Sequence, residues 1–451
     1  MKRKLQRFKL DGRSKSIALA ILGAFAIGGI SLLARSSAAT YSKSVEAESG
    51  TLAGAAEKAS ASGASGGYAV KFGGGGGPVT PGSPTVTIDG TQYPNPLTLK
   101  NGNAVTSTSV WENTRRAELL ADFKQYVYGQ PMAAPTTQNF SVAPTDSGNV
   151  KRKIVTISVT GPNGSGSFNV KLFIPKSTAK PKGTFVMIDH RGGASDDPNQ
   201  NGEYIPVQSL NNAGYAIAVF NANDVAPDNN DSYRSKMLNI FYPNLPNNAS
   251  RAVGAWAWGA SRVMDYLQTD PDIDATKVAV IGHSRSGKAA LWAGALDTRF
   301  AVVISNDSGS TGDKLARRGD GGVGAETVSK INGSFPYWFP DTYKAFNNKE
   351  GDLPVDQHEL LALIAPRRVV TGSATDDANA DPKGEFLAYV AATEVYKLYG
   401  LSNNGLGGAG WQPQTNKDYR GDAMSYHLRS GGHGLTSGDW NIYMNGNLFS
   451  R

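Results

Sequence analysis

Short, apolar, β-branched runs recur along this chain, and helical patterns fill the intervals between them. Strands are predicted at 154–159, 170–174, 184–188, 216–220, 278–281, 301–305 and 369–371. Apolar positions at a period near 3.6 predict helices over 114–127, 251–267, 287–296 and 384–399. His427, in the alternating stretch Tyr426-His427-Leu428-Arg429, is expected on a further strand and in a structural role. Fully apolar strands alternating with helices imply a mainly parallel sheet covered on both faces, a three-layer α/β sandwich. In such sheets the ligand sits beyond the carboxyl ends of the strands.

The first 84 residues do not share this pattern. Residues 1–39 carry a basic start, an apolar run from Ile17 to Leu33 and the small residues Ser36-Ser37-Ala38-Ala39, which read as a signal peptide or, if uncut, a membrane anchor. Eight Lys and Arg stand there against Asp11, which accounts for the whole formal charge of +7. The rest of the chain is therefore neutral, and no electrostatic case for nucleic acid remains. Residues 40–84 are rich in Gly, Ser, Ala and Pro and read as a linker. Within it, 45–52 and 66–72 look like remnants of a β-sandwich carbohydrate-binding module, too short to bury a core of their own. The catalytic domain is expected over 85–451. The chain has no Cys, so disulfides and thiol chemistry are excluded.

One turn carries the chemistry. The strand 278–281 runs into Gly282-His283-Ser284-Arg285-Ser286-Gly287-Lys288 and then into a helix. A Ser on a sharp strand-to-helix turn is a nucleophile elbow, which lifts the hydroxyl above the sheet and aims a helix N-terminus at the reacting atom. The spacing here is G-x-S-x-x-G, with the second Gly one place later than usual. A Ser hydroxyl needs a base, and the base needs an acid to orient it. Of the five His, His433 lies in the Gly-rich segment 430–434 after the acid positions and is the candidate base. For the acid, Asp307 follows one strand and Asp376 or Asp377 follows the next; spacing does not separate them. His190-Arg191-Gly192-Gly193 is either an oxyanion loop or a structural turn.

The elbow resembles the G-[CH]-S-R-x-G-K signature of glucuronoyl esterases, carbohydrate esterase family 15, on the α/β-hydrolase fold. Supporting segments stand in order before and after it, at 256–262, 305–310, 356–367 and 427–440. His283, where fungal members carry Cys, makes the chain similar to bacterial members. The resemblance implies Ser284 as nucleophile, His433 as base and Asp307 where members usually have Glu. The shorter Asp reaches less far, which keeps Asp376 and Asp377 open. It implies Arg285 as an oxyanion donor, and a donor aimed at developing charge in a dry site contributes roughly 3 kcal/mol. It also implies Lys288 and Glu326 as sugar-binding residues. Trp338, in Tyr337-Trp338-Phe339, is a candidate stacking platform, although aromatics in a run more often form core.

The function so implied is a secreted serine esterase of the 4-O-methyl-glucuronoyl methylesterase type. It would cleave esters of glucuronic or 4-O-methylglucuronic acid, such as those joining glucuronoxylan to lignin, as a monomer that needs neither metal nor cofactor. The alternatives are an acetyl xylan esterase on the same fold and a non-catalytic cell-surface carbohydrate-binding protein.

Overall fold

The computed structural model describes residues 82–402, 412–445 and 447–449, together with the backbone of 56–60 and 68–72. The expected signal or anchor at 1–39 lies outside these residues, as does the stretch 45–52. Among the described residues no helix is long and apolar enough to cross a membrane. The chain divides into two units, 1–79 and 80–451. In the first, β1 (Ala56–Ser60) pairs antiparallel with β2 (Tyr68–Phe72).

The second unit opens with a small hairpin, β3 (Thr85–Ile88) and β4 (Thr91–Pro94). It is built around a ten-stranded sheet. Its centre is parallel: β9 (Ala216–Asn221), β8 (Thr184–Asp189), β10 (Val278–His283), β11 (Val302–Asn306), β12 (Arg368–Ala374) and β14 (Met424–Arg429), in that spatial order. Beyond β9 the sheet continues antiparallel through β7 (Gly164–Pro175), β6 (Val150–Gly161) and β5 (Thr137–Ser147). At the other edge β13 (Lys417–Arg420) pairs antiparallel with β14. The expected strands are all present; β5 and β13, polar and at the edges, carry too weak an apolar signal to be read from sequence.

Successive side chains of the central strands feed opposite cores, as a pleated strand must. Val278 and Val280 of β10 enter one cluster, while Ala279 and Ile281 enter the other. On the first face pack the helices Ala252–Leu267, Arg285–Leu296, Gln357–Ala362 and Pro382–Leu398. On the second pack Val207–Asn212 and the final helix Ser437–Asn445. This is the three-layer arrangement of an α/β-hydrolase. From β8 the chain crosses to β9 on one side and then returns to β10 on the other. The reversal leaves a crevice at the carboxyl ends of β8 and β10, where Ser284 stands.

Candidate active site

Ser284 has φ 57° and ψ −127°, a strained conformation for a residue with a side chain, and it caps the helix Arg285–Leu296. The turn depends on its glycines for two separate reasons. A Cβ on Gly282 would lie 2.0 Å from the Ser286 carbonyl oxygen, so the turn itself requires Gly. A Cβ on Gly287 would lie 2.8 Å from Ser308 Cβ, so here the helix approaches the loop after β11 too closely for a side chain. This explains the late second Gly: the usual place holds Ser286, buried, with its Oγ 3.0 Å from His190 Nδ1.

The flank that holds the candidate base is built from the loops after β11, β12 and β14. His433 comes from the last of these, its ring 4.5 Å from that of His283. Its Nδ1 lies 2.5 Å from Asp377 Oδ2, and Asp377 is buried. Asp307 stands close by: a carboxylate oxygen from each aspartate and a ring nitrogen of His433 lie within 4.8 Å of one another. Yet Asp307 is committed elsewhere. Its Oδ2 accepts from Arg429 Nη2 at 3.1 Å and from the Gly434 N–H at 3.2 Å, while its buried Oδ1 has no partner among the described residues. Burial, then repulsion from Asp377, pushes the Asp307 carboxyl well above the usual range, against the pull of Arg429 and Gly434. Asp376 is exposed and accepts from Thr375 Oγ1. Of the three candidate acids, Asp377 is the one hydrogen-bonded to His433.

Two further histidines line this flank. His283 Nδ1 meets Asn306 Oδ1 at 2.7 Å, and burial, then the neighbouring His433, lowers its pKa well below 6.5. Burial, then Arg285 and Arg191, lowers His190 to about 3. Both imidazoles therefore stay neutral. In the loop that begins at His190, three of the amides are spent on the turn itself. Buried Asp189 accepts the N–H groups of Arg191, Gly192 and Ala194 on its carboxylate.

The opposite flank is organised by Asp228, which sequence reasoning missed. Asp228 Oδ2 accepts from Arg285 Nη1 at 2.6 Å, and Oδ1 accepts from Tyr337 OH and Trp338 Nε1, both at 2.8 Å. The Arg285 guanidinium also lies over the Trp338 and Phe335 rings, 4.8 and 5.2 Å from their centres. Trp338 is 2 % exposed and its only N–H is spent on Asp228. It supports Arg285 rather than offering an open stacking face, a placement its neighbours in the aromatic run, all buried, already suggest. No motif marks Asp228, because it sits in a loop rich in Asp and Asn.

Lys288 and Glu326 form one unit. The buried Lys288 ammonium donates to the Ser308 carbonyl at 2.6 Å, to the Ser310 carbonyl at 2.5 Å and to Glu326 Oε2 at 3.2 Å. Three donors are thus matched by three protein oxygens. Glu326, half-buried, is the member of the pair that faces solvent.

The family model described as "Glucuronyl esterase, fungi" matches residues 157–400, more than half of the chain. A carbohydrate esterase from an unknown prokaryotic organism is 36% identical over 388 residues, covering 78% of this chain and 88% of its own. A 4-O-methyl-glucuronoyl methylesterase of Schizophyllum commune is 33% identical over 319 residues, covering 69% of this chain and 74% of its own. Among solved structures, a glucuronoyl esterase from Solibacter usitatus superposes with a TM-score of 0.72 at 34% identity, covering 80% of this chain and 98% of that one. With a mainly parallel hydrolase sheet and a serine elbow at its switch point, the chain belongs to the glucuronoyl esterase family, carbohydrate esterase family 15.

Proposed function

We propose that this protein hydrolyses esters of glucuronic and 4-O-methylglucuronic acid through an acyl-enzyme, with Ser284, His433 and Asp377 as its triad. The single observation that carries the triad is the 2.5 Å contact between His433 Nδ1 and buried Asp377, on loops that converge beside the elbow. Asp377 fixes the tautomer of His433, which leaves Nε2 as the base. The Ser284 Oγ attacks the C6 carbonyl while Nε2 takes its proton. The resulting oxyanion meets the N–H groups of Arg285 and Ser286, at the very start of the helix Arg285–Leu296, and the guanidinium of Arg285. Collapse expels the alcohol, which receives the proton from Nε2. Water, deprotonated by the same nitrogen, then releases the uronate and restores Ser284. Glu326, steadied by Lys288, is positioned to accept from sugar hydroxyls. The natural substrate on this reading is an ester of glucuronoxylan, reached after residues 1–39 direct export.

The test is alcohol release from a benzyl ester of glucuronic acid, with Ser284→Ala as the blank. Turnover that disappears in the variant is the expected result. Folded wild-type protein that leaves the ester intact, and instead deacetylates xylan, would overturn the substrate assignment while keeping the nucleophile.

A further inference from the structure

The loop that delivers the base is, by composition, a poor place for one. Ser430-Gly431-Gly432-His433-Gly434 contains three glycines, and Ser430, Gly432 and His433 are exposed. Glycine loses more conformational freedom on ordering than any other residue, so this backbone needs a tether to hold an imidazole in register. Neighbouring strands and loops fix its first half: Ser430 N–H donates to Asn416 Oδ1, Gly431 N–H to Thr375 Oγ1, and the Gly431 carbonyl accepts from the Asp376 N–H.

The second half is held by side chains, Arg429 foremost among them. Arg429, the last residue of β14, turns its guanidinium back into the loop. Nη2 donates to the Gly432 carbonyl at 2.9 Å, to the Gly434 carbonyl and to Asp307 Oδ2 at 3.1 Å; Nη1 reaches the Ser430 carbonyl at 3.4 Å. The carbonyls on either side of His433 thus share one nitrogen. Asp307 closes the bracket by also accepting the Gly434 N–H. Behind the loop, Arg429 Nε donates to buried Asp439 Oδ2 at 3.0 Å. That carboxylate in turn accepts from His427 Nε2 and from the Thr436 N–H and hydroxyl. The planar fork of an arginine can serve these divergent acceptors together; a lysine ammonium on its flexible stem cannot.

We propose that Arg429 is a positioning residue for the general base, and that Asp307 serves as the outer anchor of that bracket rather than as the triad acid. This inference rests on the proposed roles of Ser284 and His433. Arg429 touches no substrate; it sets where His433 Nε2 stands when the alcohol must be protonated. An alkyl alkoxide needs that proton to leave, whereas a nitrophenolate leaves without it. Misplacing the base should therefore harm the two kinds of ester unequally.

The experiment compares kcat/KM of wild type, Arg429→Lys and Arg429→Gln on the benzyl and the 4-nitrophenyl esters of glucuronic acid. Rates are normalised to Ser284 labelled by a fluorophosphonate probe, so that any unfolded fraction drops out. The benzyl rate is expected to fall about 30- to 100-fold with KM nearly unchanged, and the benzyl-to-nitrophenyl ratio to fall at least tenfold. Lys should retain more activity than Gln. Equal losses on both esters, or no loss, overturn the inference. Should both Arg429 variants fail to fold, Asp307→Asn loosens the same bracket from outside and is expected to shift the ratio in the same direction by a few-fold; an unchanged ratio overturns it. Wild type silent on both esters would instead sink the underlying reading, and this one with it.

Discussion

The two flanks of Ser284 are built on one plan and tuned differently. Each backs a nitrogen-bearing side chain of the proposed mechanism with an aspartate: His433 with Asp377 on one side, Arg285 with Asp228 on the other. On the proposed mechanism the imidazole takes up and gives back a proton in each turnover, so its aspartate has to fix a tautomer and steady a transient charge. The guanidinium takes no part in proton transfer, so its aspartate only fixes position and balances a charge. Crowding differs as well. Asp377 has a second carboxyl, Asp307, beside it, and two neutral imidazoles share the flank. Asp228 instead has aromatic N–H and O–H donors on its free oxygen. The base side is thus where proton accounting matters, and the oxyanion side is where geometry matters.

The largest effect that would separate the two aspartates of the base flank comes from Asp377→Asn. The amide can present its NH2 to Nδ1 and stabilise the wrong tautomer, so kcat should fall about 10³- to 10⁴-fold with KM little changed. Asp307→Asn keeps an oxygen for Arg429 and the Gly434 N–H and should cost less than about tenfold. Steady-state kinetics on the benzyl ester decide it. The reverse ranking would make Asp307 the acid and dissolve the distinction drawn between them.

A smaller effect is expected on the other flank. Asp228→Asn leaves an acceptor for Tyr337 and Trp338 but breaks the ion pair that holds Arg285. Removing an oxyanion donor outright costs about 10²- to 10³-fold, so loosening one should cost roughly tenfold in kcat. The pH–rate profile should keep its shape, because His433 and its Asp377 partner are untouched. A displaced acid limb would mean that Asp228 acts on His433 through the field of the site, and that the flanks are not separate.

How much of this was legible in the sequence follows from which interactions are local. The central strands and the helix after Ser284 declare themselves by apolar runs and periodicity, and the elbow by Gly282 and Ser284, whose roles are set within a few residues. The choice of acid was not legible. Asp307 and Asp377 both follow parallel strands, and only the tertiary course of the loop after β14 decides which one His433 meets. Asp228 gave no signal at all, since its importance lies in Arg285 and Trp338, 57 and 110 residues further along the chain. Lys288 was found as a site residue by resemblance, yet its three bonds to protein oxygens could be seen only in the fold.

The smallest effect tests the proton cost of the two buried imidazoles beside the elbow. His190 is held neutral down to about pH 3 in the folded protein, first by burial and then by Arg285 and Arg191, whereas an unfolded histidine titrates at 6.5. Between those values the unfolded chain binds the extra proton, so stability rises with pH across this window and is lost as pH falls below about 6.5. Each such histidine contributes a slope of up to about 1.4 kcal/mol per pH unit, and His283 acts with the same sign. Asp307 acts with the opposite sign, since its raised pKa keeps a proton on the folded form as pH rises above the ordinary carboxylate range. The informative quantity is therefore the difference between wild type and His190→Gln, in which the Asp307 contribution cancels. Urea unfolding at pH 4, 5 and 6 should show a flatter dependence in the variant, by about one proton, while Asp228→Asn leaves the wild-type slope in place. Parallel curves for wild type and His190→Gln would mean that His190 takes up its proton in the folded state. The proton cost of the neutral imidazoles would then rest on His283 alone.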